Sequence, residues 1–84
     1  MKEHKLKTWI PYYQEVKNGN KTFEIRKNDR DFEVGDILIL EEWNHDTQTY
    51  TGNFIYKKVK YITQGGKFGI EEGYVVMSLA NFNS

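Results

Sequence analysis

Gly19-Asn20-Lys21-Thr22-Phe23-Glu24-Ile25-Arg26-Lys27 is the stretch on which the reading of the fold turns. From Thr22 to Lys27 apolar and polar side chains alternate with a period of two, as in a strand with one covered face. The expectation is that Phe23 and Ile25 face the core, while Thr22, Glu24 and Arg26 share the opposite face. Immediately upstream, Trp9, Tyr12, Tyr13 and Val16 recur at helical spacing, and Pro11 stands where a helix can begin without losing a hydrogen bond. This predicts a helix over residues 11–18 that packs its apolar stripe, Trp9 and Tyr12 included, on a sheet. Gly19 stops it in a left-handed conformation. Two helical turns do not persist alone in water, so the helix must dock.

Downstream the pattern is that of strands. Residues 37–40 are apolar on both faces and read as a covered strand that Trp43 extends. Residues 44–53 are rich in Asn, Asp, Thr and Gly and read as a hairpin loop. A long strand follows over residues 54–63, with Ile55, Val59 and Tyr61 on one face and Lys58 and Lys60 on the other. Gly65-Gly66 breaks it, residues 74–79 form a last strand, and residues 80–84 read as a frayed end. Asn28-Asp29-Arg30-Asp31 and Val34-Gly35-Asp36 are turns. With an extended N-terminal entry, one short helix and no second helix, the chain is mainly β (α+β): a mostly antiparallel sheet curled into a small barrel, one domain over residues 1–84.

Composition bounds the function. Eighty-four residues suffice for one core and no more. No cysteine is present, so disulfides and thiolate metal sites do not hold the fold, which suits a cytoplasmic protein. The longest apolar run is far too short to span a bilayer, and no signal-peptide core is visible near Met1. The two histidines, His4 and His45, are far apart, so neither a metal nor a cofactor is expected. Net charge is zero, yet residues 1–30 hold eight basic against four acidic side chains and the remainder the reverse. Such asymmetry gives a neutral protein a basic face suited to an anionic partner.

The candidate site lies in the opening stretch. On a strand Glu24 and Arg26 are neighbours on one face, where a guanidinium orients a carboxylate and the pair offers donors and an acceptor together, with Lys21 and Thr22 nearby. The bland alternative is an exposed ion-pair network of little energetic weight. Trp9 and Tyr12, assigned to packing, are not expected to stack bases; Tyr50, Tyr56 and Tyr61 stay open for that role, and Lys57, Lys58, Lys60 and Lys67 are candidate phosphate contacts, although Lys57 and Lys58 read better as solubilising charges.

The ordered run Gly-x-Lys-Thr-x-Glu-x-Arg, followed by residues 27–32 and by Val34-Gly35-Asp36, resembles the ASCH-like domains of the PUA-like superfamily. It is most similar to a small bacterial and phage branch of unknown function, and the likeness extends to His4-Lys5-Leu6-Lys7 and Gly73-Tyr74-Val75-Val76-Met77. The resemblance implies a β-barrel with a helix beside a cleft that binds RNA or modified bases. Lys21, Glu24 and Arg26 match its signature, Gly19 is the turn that opens the cleft, and His4, Lys7, Asp29 and Arg30 match the narrower branch. Some relatives resemble amidohydrolases of modified nucleosides. Lys21 matches their lysine, but Glu24 stands where they carry threonine, and Glu71 and Glu72 are the candidates for their later glutamate. The expected function is therefore binding of RNA or a nucleotide through Lys21, Glu24, Arg26, Gly19, Thr22, His4, Lys7, Asp29 and Arg30. A hydrolase using Lys21 and Glu24, or a protein-interaction module, are the alternatives.

Overall fold

A computed structural model describes residues 1–82. Its elements run β1 (Glu3–Trp9), α1 (Ile10–Lys17), β2 (Phe23–Lys27), β3 (Ile37–Asn44), β4 (Thr49–Gln64) and β5 (Tyr74–Asn81). They form one five-stranded sheet in the order β1-β3-β4-β5-β2, curled into a half-barrel. β1 pairs with β3 in parallel and the remaining pairs are antiparallel, so the mainly β, mostly antiparallel architecture holds. β1 and β2 are the two sheet edges.

The N-terminal entry is a full strand. His4, Leu6 and Thr8 point inward from β1 and are buried, alternating with exposed neighbours. β3, the strand read as covered, is buried throughout its first four residues. Leu38 and Leu40 join Leu6, Val16, Phe32, Val59, Val75 and Met77 in the core. The hairpin loop is shorter than expected, because β3 reaches Asn44 and β4 starts at Thr49. A bulge between Val59 and Tyr61 then reverses the alternation of β4: Val59 is buried while Tyr61 is 64% exposed. An inserted residue of this kind is invisible to a count by twos. Ala80 and Asn81 belong to β5 rather than to a frayed end, whereas residues 83–84 of that expected end lie outside the described residues.

α1 begins one residue earlier than expected, with Trp9 as its N-cap and Pro11 inside the first turn. Only Tyr13 and Val16 are buried. Trp9 and Tyr12, predicted to pack, are 41% and 54% exposed. Trp9 is also the last residue of β1, on the face that alternates with buried Thr8, so the strand rather than the helical stripe sets its exposure. Gly19 ends it at φ 85°, with its amide bonded to the Val16 carbonyl, as its role required.

A β4–β5 turn depends on Gly65. Its amide donates to the Tyr74 carbonyl at 2.8 Å, and a Cβ there would overlap the Glu71 carbonyl oxygen. Gly65→Ala should therefore lower stability by about 1–3 kcal/mol through displaced backbone. Urea unfolding checks this; an unchanged midpoint contradicts it.

Candidate functional site

The alternation of β2 is real, but its faces are exchanged. Phe23 and Ile25, expected in the core, are 40% and 53% exposed, and Glu24 is 3% exposed. A carboxylate tolerates such burial only if its lone pairs are engaged, preferably by opposite charge. Lys21 donates from Nζ to Glu24 Oε1 at 3.0 Å, and Arg26 donates from Nε to Glu24 Oε2 at 2.9 Å. Lys21 also donates to the Phe23 carbonyl and lies 4.8 Å from the Phe23 ring centroid.

Arg26 has a second task. Its Nη2 donates to the Lys7 carbonyl at 3.0 Å and to Thr8 Oγ1 at 3.3 Å, across the gap between the two sheet edges. Arg30 repeats the device, donating from Nη1 to the Lys5 carbonyl at 2.7 Å. Two guanidinium groups thus stand in for the missing ladder between β2 and β1. Along this seam runs a groove of about 560 Å³, lined by Lys7, Thr8, Trp9, Tyr12, Lys21, Phe23, Glu24, Ile25 and Arg26.

The expected site residues therefore divide. Lys21, Glu24, Arg26 and Lys7 come together in this groove, with the Lys7 ammonium 3.9 Å over the Trp43 ring. Gly19 and Thr22 line a different groove. Arg30 ties the seam further along β1, and Asp29 is exposed in the turn after β2. His4 is buried away from the groove: Nε2 lies 2.9 Å from Asp36 Oδ2, and its ring meets Phe32 edge-on at 4.7 Å. Glu71 and Glu72 are exposed and do not line the seam groove.

Thr8, Trp9 and Tyr12 were missed as groove residues. The alternation of β1 signalled Thr8, but nothing in the helical period distinguished Trp9 and Tyr12 from core. Their rings lie 6.5 Å apart, and the His45 ring stacks on Trp9 at 3.9 Å. Glu42 was missed as well. It is 4% exposed and accepts from Gln14 at 2.7 Å, Thr51 at 2.7 Å and Asn53 at 3.1 Å. Burial works to raise the Glu42 carboxyl, but these donors outweigh it and hold it below its ordinary range. Asp36 is held low in the same way: burial is overcome by the Lys2 amide, His4 and the Glu33 amide. Among the described residues no group of side chains has the makings of a metal site, and no helix is long and apolar enough to cross a membrane.

Fold and groove together define a small curled half-barrel domain whose open seam carries a buried carboxylate, three cations and exposed aromatics. The chain belongs to the DUF3850 family, a domain of unknown function, whose profile matches residues 3–79. It is also 37% identical over 62 residues to the "Uncharacterized 12.9 kDa protein in GpA 3'region" of Escherichia phage P2. That alignment covers 74% of this chain and 55% of the phage protein, so the chain spans little more than half of the relative's length.

The depressed carboxyls make stability depend on acidity with a definite sign. Asp36 and Glu42 titrate below their ordinary 3.8 and 4.5, so near those values the unfolded chain binds more protons than the folded one. Their contribution is complete above the unfolded values and is lost as pH falls through the folded ones. Urea midpoints should stay level down to about pH 5 and decline below it, and Asp36→Asn should start lower and decline less steeply. A midpoint that rises on acidification contradicts this.

Proposed function

We propose that the seam groove binds a nucleobase and its phosphate from single-stranded RNA or a nucleotide, and that the family lies among the ASCH-like domains of the PUA-like superfamily. The carrying observation is the convergence of exposed aromatic rings, Trp9 and Tyr12, with Lys21 and Arg26 around one oriented carboxylate, Glu24, in a groove of about 560 Å³. Each part suits the ligand. Rings offer stacking faces, the carboxylate accepts from base amino or imino groups, and Lys7, Lys21 and Arg26 attract phosphate. The Gly-x-Lys-Thr-x-Glu-x-Arg run and the helix beside the groove support the superfamily reading. The lack of cysteine fits a cytoplasmic setting.

Hydrolysis is the weaker reading. Glu24 is engaged on both oxygens by cations, and the groove's buried hydroxyl, Thr8 Oγ1, donates to the Leu6 carbonyl at 3.2 Å while accepting from Arg26. Among the described residues no general base is bonded to that hydroxyl.

Fluorescence anisotropy of a labelled RNA at low salt tests the proposal. Trp9→Ala and Tyr12→Ala, both at exposed positions, should each weaken binding by about 1–3 kcal/mol without unfolding the protein. Affinities unchanged in both variants, or no binding by the wild-type protein, overturn it.

A further inference from the structure

A second groove of about 600 Å³ opens on the far side of Lys21, which lines both grooves. Lys57, Lys58 and Lys60 line it too, and among the described residues no carboxylate does. Four ammonium groups thus meet at this groove, three of them from the part of the chain that carries most of the acidic residues. Three carboxylates of that part are engaged elsewhere. Glu33 pairs with Lys2 at 3.2 Å, Asp36 with His4, and Glu42 with its three neutral donors. The Lys57 ammonium donates to Asn81 Oδ1 at 2.9 Å, a neutral partner that orients the charge without cancelling it. Lys58 and Lys60 reach this groove from the positions on either side of Val59, which the same strand places in the core. The floor is open: Gly19 and Gly35 sit at φ 85° and 95°, and a Cβ on either would meet nothing within 4 Å. Their amides are already bonded to the Val16 and Val59 carbonyls, so the lysines carry the attraction.

Resting on the seam-groove reading, we propose that this second groove takes the phosphodiester backbone of the same RNA strand, which crosses Lys21 from the aromatic groove and runs along Lys57, Lys58 and Lys60. The required ligand is a repeating anion that also fits the first groove. An acidic peptide offers the charge, but its side chains would meet Glu24 at the crossing. RNA presents a base there and phosphates on either side.

The test compares a ribonucleoside monophosphate with a single-stranded RNA of about eight nucleotides, on wild-type protein and on Lys57→Gln/Lys60→Gln. Circular dichroism confirms that the variant is folded. The monophosphate should bind both proteins alike, because it occupies the seam groove alone. The longer RNA should bind the variant about 25-fold more weakly at 0.1 M salt, and the slope of log affinity against log salt should flatten by about 1.4, two contacts at about 0.7 each. If the monophosphate binds but the longer RNA shows equal affinity and slope for both proteins, the backbone track is wrong and the seam groove stands. Displacement of the RNA by polyglutamate of matched charge as effectively as by unlabelled RNA overturns the assignment to nucleic acid. If neither ligand binds wild-type protein, the seam-groove reading fails and takes this inference with it.

Discussion

One buried carboxylate, Glu24, sets the geometry of the half-barrel's open side. Lys21 from the turn after α1 and Arg26 from β2 hold its two oxygens, and Arg26 then spans the seam to the β1 backbone at Lys7. Without Glu24, two cations would face each other beside a sheet edge. Without Arg26, the carboxylate would lose a partner in a site where unpaired charge is costly, and the two edges would lose a crossing bond. The seam is therefore neither a closed ladder nor an open gap. It is a groove with a fixed width and a polar floor.

That arrangement explains why polar residues occupy the inner face of β2. In the middle of the sheet the inner positions are mostly apolar, as at Leu38, Leu40, Val75 and Met77, while β1 at the other side of the seam also turns Thr8 inward. At the seam no strand supplies the facing wall, and side chains that can donate and accept across the gap replace packing. Phe23 and Ile25 are turned outward as a consequence. The same logic recurs in two other polar knots: Asp36 binds His4 and two backbone amides, and Glu42 gathers Gln14, Thr51 and Asn53 from the helix and hairpin. Among the described residues no buried side-chain polar atom lacks a partner. Each knot lies where elements distant in sequence meet.

Much of the fold was legible in the chain because it is written in local periodicity. The doubly apolar Ile37–Leu40 run, the Gly19 helix stop and the alternation of β2 all have local causes. What local pattern does not carry is direction. Alternation in residues 22–27 separates two faces but does not say which is inside; that was decided by Lys21 and Arg26 reaching Glu24, and by the far-away carbonyl of Lys7. Trp9 and Tyr12 fit a helical stripe, yet Trp9 also ends β1, whose alternation sets its exposure. The bulge at Val59–Tyr61 shifts a register that counting assumes constant. The convergence of Lys21, Glu24 and Arg26 was foreseeable from spacing, while the roles of Arg30 and Glu42 required tertiary partners.

The most direct measurement is a backbone-amide NMR titration with a short single-stranded RNA. If the seam groove is the binding site, shifts should concentrate at Lys7 to Trp9, Tyr12 and Lys21 to Arg26, continuing to residues 57–60 where the strand runs into the second groove, and leave the His4–Asp36 knot quiet. Shifts confined to the outer face around Phe54, Tyr56 and Phe82, or no shifts at saturating RNA, would contradict the account.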